Sequence, residues 1–510
     1  MLQPPSEYRL HPVALILFLA RQAKEAIFAI VALFIGSGGD LFASALGASV
    51  SVLLLVLLVV APAVVRLLTF RYRYDPGELV IRWGWLARKE RHIPFTRIQS
   101  IDASERLLHR LTGTVEVAIE TGGGAEAEGK IAAIPRGDFE VMRERVLRER
   151  AETAAAEGAT RAEGDEPPSA HRRLASLGLK DLLLTGLILN KGMVLVFALG
   201  ALIYEWGLSD RLLLRFVGPE AAERGTFRTV VAMLRGATEL TPRGLVMGVL
   251  LLLGFLAGVR LLSMLFTIVR YHDHRLELVG ADLRVTCGLL TRSTSTTPLR
   301  RIQSITIREG PWHRLAGRVT VQAATAGGSA FEEAVPSREV LAPLLPRNEL
   351  PALLSIALGG TQMPRSGWTP AAPPSTRRAM VRVAVLWAVV GGFAWWLGAP
   401  ALVIALVLAC WSVVVARARV RHFRWLAFDE GVALCTGWLW RRTTIVRDDR
   451  IQLAMLTESP WDRRHGMAKV SVDTAGSAAP MLDFTWLTRH DAVGLVARLD
   501  AAIAATEFTL

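Results

Sequence analysis

Arg97-Ile98-Gln99-Ser100-Ile101 is written again, unchanged, as Arg301-Ile302-Gln303-Ser304-Ile305, and Arg450-Ile451-Gln452 opens a third, altered copy. The surroundings repeat with it. A glycine stands thirteen residues before each Arg (Gly84, Gly288, Gly437) and another sixteen residues after it (Gly113, Gly317, Gly466). Eight residues further on, Thr121, Thr325 and Thr474 each lead into a Gly-containing turn. Constant spacing without insertions implies one module used three times.

Around the first glycine, apolar and polar residues alternate: Leu79, Ile81 and Trp83 before Gly84, Leu283 and Val285 before Gly288, Val432 and Leu434 before Gly437. Behind the second glycine the alternation resumes as Val115, Val117, Ile119, then Val319, Val321, Ala323, then Ala468, Val470, Val472. A period of two, rich in β-branched residues and cut by Gly, predicts strands and hairpins with one buried face. Each copy then closes on apolar residues at helical spacing behind a polar starter, over Asp138–Arg150, Ser337–Leu345 and Thr488–Ile503. The expectation is a small β-sandwich or half-open barrel of roughly 80 residues with a C-terminal helix, a size at which a single core is viable.

The run from Arg97 through Leu108-His109-Arg110-Leu111-Thr112-Gly113 to Thr121 has a twin from Arg301 through Pro311-Trp312-His313-Arg314-Leu315-Ala316-Gly317 to Thr325. Both resemble the bacterial pleckstrin-homology-like domain (bPH2), in the version found in YdbS/YdbT-type multi-pass membrane proteins. The resemblance covers essentially the whole chain. The third copy departs most, with Leu453-Ala454 where the others have Ser-Ile and Asp462 where they have His. What the resemblance implies is an α+β membrane protein in which PH-like domains alternate with membrane helices. For some members it also implies a link to tolerance of bacteriocins and other membrane-active agents.

Composition agrees. At 52% hydrophobic over 510 residues and a mean hydropathy of +0.35, the chain is oilier than soluble proteins, whose apolar share is about 45–50% with Gly included. Cys287, Cys410 and Cys435 form no CxxC and no disulfide framework, which suits a reducing cytoplasmic face. Lys and Arg exceed Asp and Glu by 59 − 46 = 13. In a membrane protein this excess points to positive-inside topology and an anionic inner leaflet rather than to nucleic acid. No cleavable signal peptide is evident before the first apolar run.

Taken in order, the expected units are a membrane hairpin (1–70), a PH-like domain (71–150), a linker (151–175), a second hairpin (176–270) and a second domain (271–355). A linker (356–378), a third hairpin (379–420) and a third domain (421–510) follow. Two spans between successive domains put all three on one side. Arginines cluster where each hairpin meets its domain, which places the domains in the cytoplasm, although the six arginines of the middle turn weaken that reading. Charges interrupt the first hairpin at Arg21, Lys24 and Glu25, and Asn190-Lys191 interrupts the second. An interfacial helix accounts for such breaks; a transport path through the hairpins is the alternative.

No HExxH, P-loop, GxSxG with partners or metal-ligand cluster occurs, so no catalytic, cofactor or metal site is expected. His109 and His313 read as polar residues beside a turn, and Gly122-Gly123-Gly124 as a hairpin turn. The sharpest candidates for a shared role are Arg97 and Gln99 with Arg301, Gln303, Arg450 and Gln452, which either satisfy a fixed strand edge or face a partner. Arg88, Lys89 and Arg91, with Arg441 and Arg442, are candidates for attraction to anionic lipid; Thr291-Arg292-Ser293-Thr294 offers little. The expected function is a non-enzymatic scaffold whose domains bind each other, a protein partner or lipid headgroups. Because the third copy has drifted at the motif, domains one and two are expected to pack through like surfaces near Arg97 and Arg301, with domain three docking differently.

Overall fold

The computed structural model describes residues 7–20, 22, 59–121, 129–156, 172–188, 242–325, 340–361, 363–364, 366–397, 399–474 and 481–505. A two-residue strand from ahead of the first hairpin, β1 (Tyr8–Arg9), pairs with β2 (Arg71–Asp75), and β2, β3 (Glu78–Trp83) and β4 (Lys89–Pro94) form an antiparallel meander. One 3-10 turn, Phe95–Arg97, carries the chain to a second meander of β5 (Ile98–Glu105), β6 (Thr114–Thr121) and β7 (Gly129–Pro135). The helix Arg136–Ala156 follows and packs Phe139, Met142 and Val146 into the core.

The second and third copies repeat this order. The second has β8 (Arg172–Ser176), then β9 (Arg275–Val279), β10 (Asp282–Cys287) and β11 (Arg292–Pro298), then β12 (Ile302–Glu309), β13 (Arg318–Thr325) and β14 (Val340–Pro346). The third has β15 (Thr369–Pro370), β16 (Arg424–Phe428), β17 (Gly431–Thr436) and β18 (Arg441–Arg447), then β19 (Ile451–Thr457), β20 (Met467–Thr474) and β21 (Leu482–Thr488).

The marker glycines have separate causes. Gly113, Gly317 and Gly466 sit at φ 62 to 65° just behind the short helices Leu107–Thr112, Pro311–Leu315 and Pro460–Arg464, where a left-handed residue ends the turn. Gly84, Gly288 and Gly437 take φ of 90 to 116°, and a Cβ at Gly84 or Gly437 would strike the carbonyl oxygen of Ala87 or Trp440.

The domains do not stand apart. β5 of the first copy pairs antiparallel with β11 of the second, giving a seven-stranded sheet in the order β7-β6-β5-β11-β10-β9-β8. β12 of the second pairs with β18 of the third in the same way, giving β14-β13-β12-β18-β17-β16-β15. The expectation of like surfaces between domains one and two, with domain three docking differently, is therefore wrong. Both junctions are head-to-tail and equivalent, because each leading sheet offers its third strand to the free edge of the domain before it. Leu426, Phe428, Ala433 and Ile445 of the third leading sheet lie in one apolar cluster with Leu276, Ile305, Ile307 and Leu353 of the second copy. On the opposite face, Trp425, Val432, Leu434 and Val446 enter the third copy's own core.

Further corrections concern the segments between domains. Of the stretch 337–345 expected as helix, the described residues 340–345 lie on β14, a run buried on both faces that helical and strand periods cannot separate; the helix is Leu350–Ala357. The linker expected at 151–175 is helical to Ala156 and ends in β8. The linker expected at 356–378 is a strap: Met363 and Trp368 pack on the second core, Thr369 and Pro370 pair with Trp425 and Arg424, and Ala372 is buried.

Three described helices carry stretches long and apolar enough to cross a membrane: Leu253–Tyr271, Ser375–Trp396 and Leu402–His422. Their outward side chains, among them Leu261, Leu265, Val389, Trp396, Leu406 and Val407, are exposed apolar surface. Val59–Thr69 is a shorter apolar helix. The breaks at Arg21, Lys24, Glu25, Asn190 and Lys191, and the turn Gly122-Gly123-Gly124, lie outside the described residues.

The two classes of glycine separate in a stability test. Gly466→Ala meets open space and should cost about 1–2 kcal/mol for left-handed strain alone, whereas Gly437→Ala must also move backbone and should cost more. Thermal unfolding of the full chain in detergent measures both, and equal losses would contradict the clash at Trp440.

Candidate functional site: the seams between domains

The repeated motif lies where each domain turns from its first sheet to its second. Its Arg ends the 3-10 turn (Phe95–Arg97, Leu299–Arg301, Asp448–Arg450). Its Ile faces the third marker: Ile98 pairs with Thr121, Ile302 with Thr325, Ile451 with Thr474. Its Gln falls in a register shift between Ile98 and Ser100, Ile302 and Ser304, and Ile451 and Leu453, a bulge built the same way three times. Ser and Ile then begin the strand that meets the next domain.

The three motif arginines occupy different surroundings. Arg97 is exposed, Arg301 is buried, and Arg450 is half-buried and 3.4 Å from Asp449. The cause is the preceding domain. Asp102 on β5, itself buried, accepts a hydrogen bond from Ser295 Oγ of β11 at 3.0 Å. Burial disfavours the charge on Arg301, and the field of Asp102 offsets that cost. At the second seam the equivalent pair is Thr306–Thr444, with oxygens 3.3 Å apart. Among the described residues no domain stands ahead of the one that carries Arg97. Gln303 is buried on the seam strand, while Gln452 is exposed.

Both seams keep one register. Glu105 faces Arg292, Ser104 faces Ser293 and Ala103 faces Thr294; at the second seam Glu309 faces Arg441, Arg308 faces Arg442 and Ile307 faces Thr443. Around each seam stands the same charged set. Glu105 lies 3.9 Å from Arg136, and Glu309 lies 3.8 Å from Arg347. The leading strands of the next domains begin with Arg275 and Arg424, and their third strands with Arg292 and Arg441. From the sequence, Arg275 and Arg424 read as span-end charges, and Arg292, within Thr291–Thr294, as a poor lipid contact. Their fixed place, thirteen residues before and four after the first marker glycine, was the signal that could have found them. Arg88, Lys89 and Arg91 are exposed at the free end of the first leading sheet, Arg91 lying over the Trp83 ring at 5.9 Å, so they do not converge with Arg441 and Arg442.

At the second seam a cavity of about 600 Å³ opens between the helix Leu350–Ala357, the strap and the third leading sheet. Leu350, Leu354, Met363 and Trp368 form its apolar walls, Arg347, Arg424 and Arg441 its cationic ones, and His422 also lines it.

The histidines are structural. His109 Nδ1 accepts the Arg106 N–H at 3.3 Å and Nε2 donates to Ala132 O at 3.0 Å. His313 Nδ1 accepts the Gly310 N–H at 3.2 Å, with Nε2 3.0 Å from Thr320 Oγ1. Asp462 in the third copy accepts the Ser459 N–H at 3.1 Å. All three cap the N-terminus of a short helix, which explains why His and Asp interchange. Among the described residues no group of His, Cys, Asp and Glu could hold a metal ion.

The domain order, the bulged motif and the apolar helices define a membrane protein built on repeated PH-like modules. Residues 25–150, 226–359 and 381–500 match the family of the bacterial PH domain, and the chain belongs to that family. One similar protein is the UPF0699 transmembrane protein YdbT of Bacillus subtilis (strain 168), 28% identical over 365 residues, or 68% of each chain. No solved structure matches.

A pH test follows from the buried imidazoles. His274 is held down to about 4 by burial, and neither ring nitrogen has a hydrogen-bond partner among the described residues. Burial lowers His313 as well. Because the folded state favours neutral rings, this stability is complete above the unfolded value near 6.5 and is lost as pH falls below it. For His274 the loss reaches about 3 kcal/mol by pH 4. The thermal midpoint should fall between pH 6.5 and 4, and His274→Gln should flatten the profile; a profile that His274→Gln leaves unchanged would remove the assignment.

Proposed function

We propose that the protein is a non-enzymatic scaffold at the inner face of the cell membrane, its three PH-like domains joined into one rigid row that serves envelope integrity or resistance to membrane-active peptides. The observation that carries this reading is the identical register of the two seams. Continuous strand pairing fixes the domains to one another more firmly than a flexible tether would. It also supports a common side for all three, since β5 pairs with β11 and β12 with β18 only where the domains share a compartment. The anionic inner leaflet is the partner that the basic exits favour, with a protein partner or a second copy bound through the domain surfaces.

Two experiments test the reading. Single cysteines at Gly38 and Ala159, in a background lacking the native three, should be labelled from outside intact cells at the first and not at the second; the reverse pattern overturns the orientation. Asp102→Lys sets a second positive charge beside buried Arg301 and should open the first seam, at a cost of about 3–5 kcal/mol for an uncompensated buried charge. Hydrogen exchange along β11 should rise, and a deletion strain carrying this variant should be as susceptible to membrane-active peptides as the deletion itself. Full complementation by a protein with an open seam would sink the scaffold reading.

A further inference from the structure

We propose that the cavity at the second seam binds one anionic amphiphile, a lipid with a single phosphate in its headgroup. This goes beyond the scaffold reading and does not depend on it. The walls divide by chemistry: Leu350, Leu354, Met363 and Trp368 offer an apolar surface, whereas Arg347, Arg424 and Arg441 converge on the cavity. Glu309 is the one carboxylate among the lining residues, and Arg347 lies 3.8 Å from it. Three guanidiniums against one carboxylate leave 3 − 1 = 2 positive charges that the lining does not balance. Clustered like charges raise the free energy of the protein alone, and planar guanidiniums match phosphate oxygens with paired hydrogen bonds. The volume of about 600 Å³ falls within the roughly 300–1,000 Å³ of small-molecule sites.

Position selects the source of the anion. His422, in the lining, is the last residue of the apolar helix Ala399–His422. The strap that forms the opposite wall leads directly into the helix Ser375–Leu397, the other apolar helix of that hairpin. The cavity therefore stands where both helices leave their apolar stretch, at the level of lipid headgroups, and its apolar wall gives an alkyl chain somewhere to lie. A free phosphate would use the arginines and leave Leu350, Leu354 and Trp368 without purpose.

The test uses the full chain in nonionic detergent, with bound molecules counted by native mass spectrometry. The probes are a short-chain phosphatidylglycerol, a phosphatidylcholine with the same chains, and inorganic phosphate. One phosphatidylglycerol should bind per chain, with phosphatidylcholine at least tenfold weaker. Arg424→Gln with Arg441→Gln should weaken phosphatidylglycerol about 30-fold, as expected for two basic contacts, the equivalent of about 2 kcal/mol. Arg463→Gln with Arg464→Gln, exposed and away from the cavity, removes the same formal charge and should change binding less than twofold. Trp368→Ala should weaken phosphatidylglycerol without restoring phosphatidylcholine. The proposal is overturned if both lipids bind alike, if the two arginine pairs lose affinity alike, or if inorganic phosphate displaces phosphatidylglycerol at equal concentration. Arg441 also faces Glu309 across the second seam, whereas Arg424 and Trp368 lie outside that strand pair, so hydrogen exchange along β18 is followed in every variant: weakened phosphatidylglycerol binding with unchanged exchange is loss of the ligand and not of the scaffold.

Discussion

The first and second domains each end a sheet on a strand whose backbone donors and acceptors need a partner, and the next domain supplies it. That pairing governs the rest. A leading sheet of three short strands has two faces and two edges to satisfy. Inserting the sheet beside β5 or β12 pairs one edge. The strap strands β8 and β15 pair the other. One face then enters the domain's own core, and the opposite face of the third leading sheet joins the second core. The seam thus completes the sheet of the domain that follows it, and the order of domains along the chain becomes an order in space.

The first leading sheet shows the same constraint from the other side. No described strand pairs with the outer edge of β4, and the outer face of the sheet is covered by charge: Arg82 lies 2.9 Å from Glu90, His92 2.9 Å from Glu78, and Arg73 3.0 Å from Asp75. The corresponding positions in the third copy include Leu426, Cys435 and Ile445, which are apolar or half-buried. Charge on an unpaired edge discourages unwanted strand addition, and β4 carries Lys89, Glu90, Arg91 and His92 in succession. At the far end β19 is uncharged throughout. Leu453 and Met455 are 48% and 47% exposed, where their equivalents Ser304 and Thr306 at the second seam are 2% and 7% exposed.

Much of this was legible in the sequence. The repeat, the strand alternation, the closing helices at 138–150 and 488–503 and the apolar spans all follow from local periodicity, and local periodicity is what a single chain displays. The seams were not legible, because strand pairing between domains depends on backbone edges that side-chain pattern does not mark. Drift of Ser-Ile to Leu453-Ala454 reads as a different way of docking, whereas those residues lie on the edge of β19 that corresponds to the one β11 and β18 cover elsewhere, and no described strand pairs with it. The strap at 359–376 misled for a related reason: its prolines and glycines read as solvent-exposed linker, yet Met363 and Trp368 pack on the second core and Ala371 on the third.

Internal repetition also separates what the domain needs from what the seam needs. The marker glycines, the threonine opposite the motif Ile and the bulge at the motif Gln persist in all three copies, with or without a neighbour, so they belong to the domain itself. The polar pairs Asp102–Ser295 and Thr306–Thr444 exist only at seams, and their counterparts at the free ends have become Met455 and Arg91. The glutamates at the ends of β5 and β12, and Glu458 just beyond β19, follow the first rule. Each has an arginine close by: Arg136 at 3.9 Å, Arg347 at 3.8 Å and Arg489 at 2.9 Å. The leading-sheet arginines follow neither rule. Arg71 and Arg88 keep the places of Arg275 with Arg292, and of Arg424 with Arg441, although no described seam stands before the first domain. Strand pairing therefore does not explain why they are basic. What the three leading sheets do share is their position directly after a basic, apolar helix end, and at that place a positive charge gains free energy from an anionic surface whether or not another domain is present.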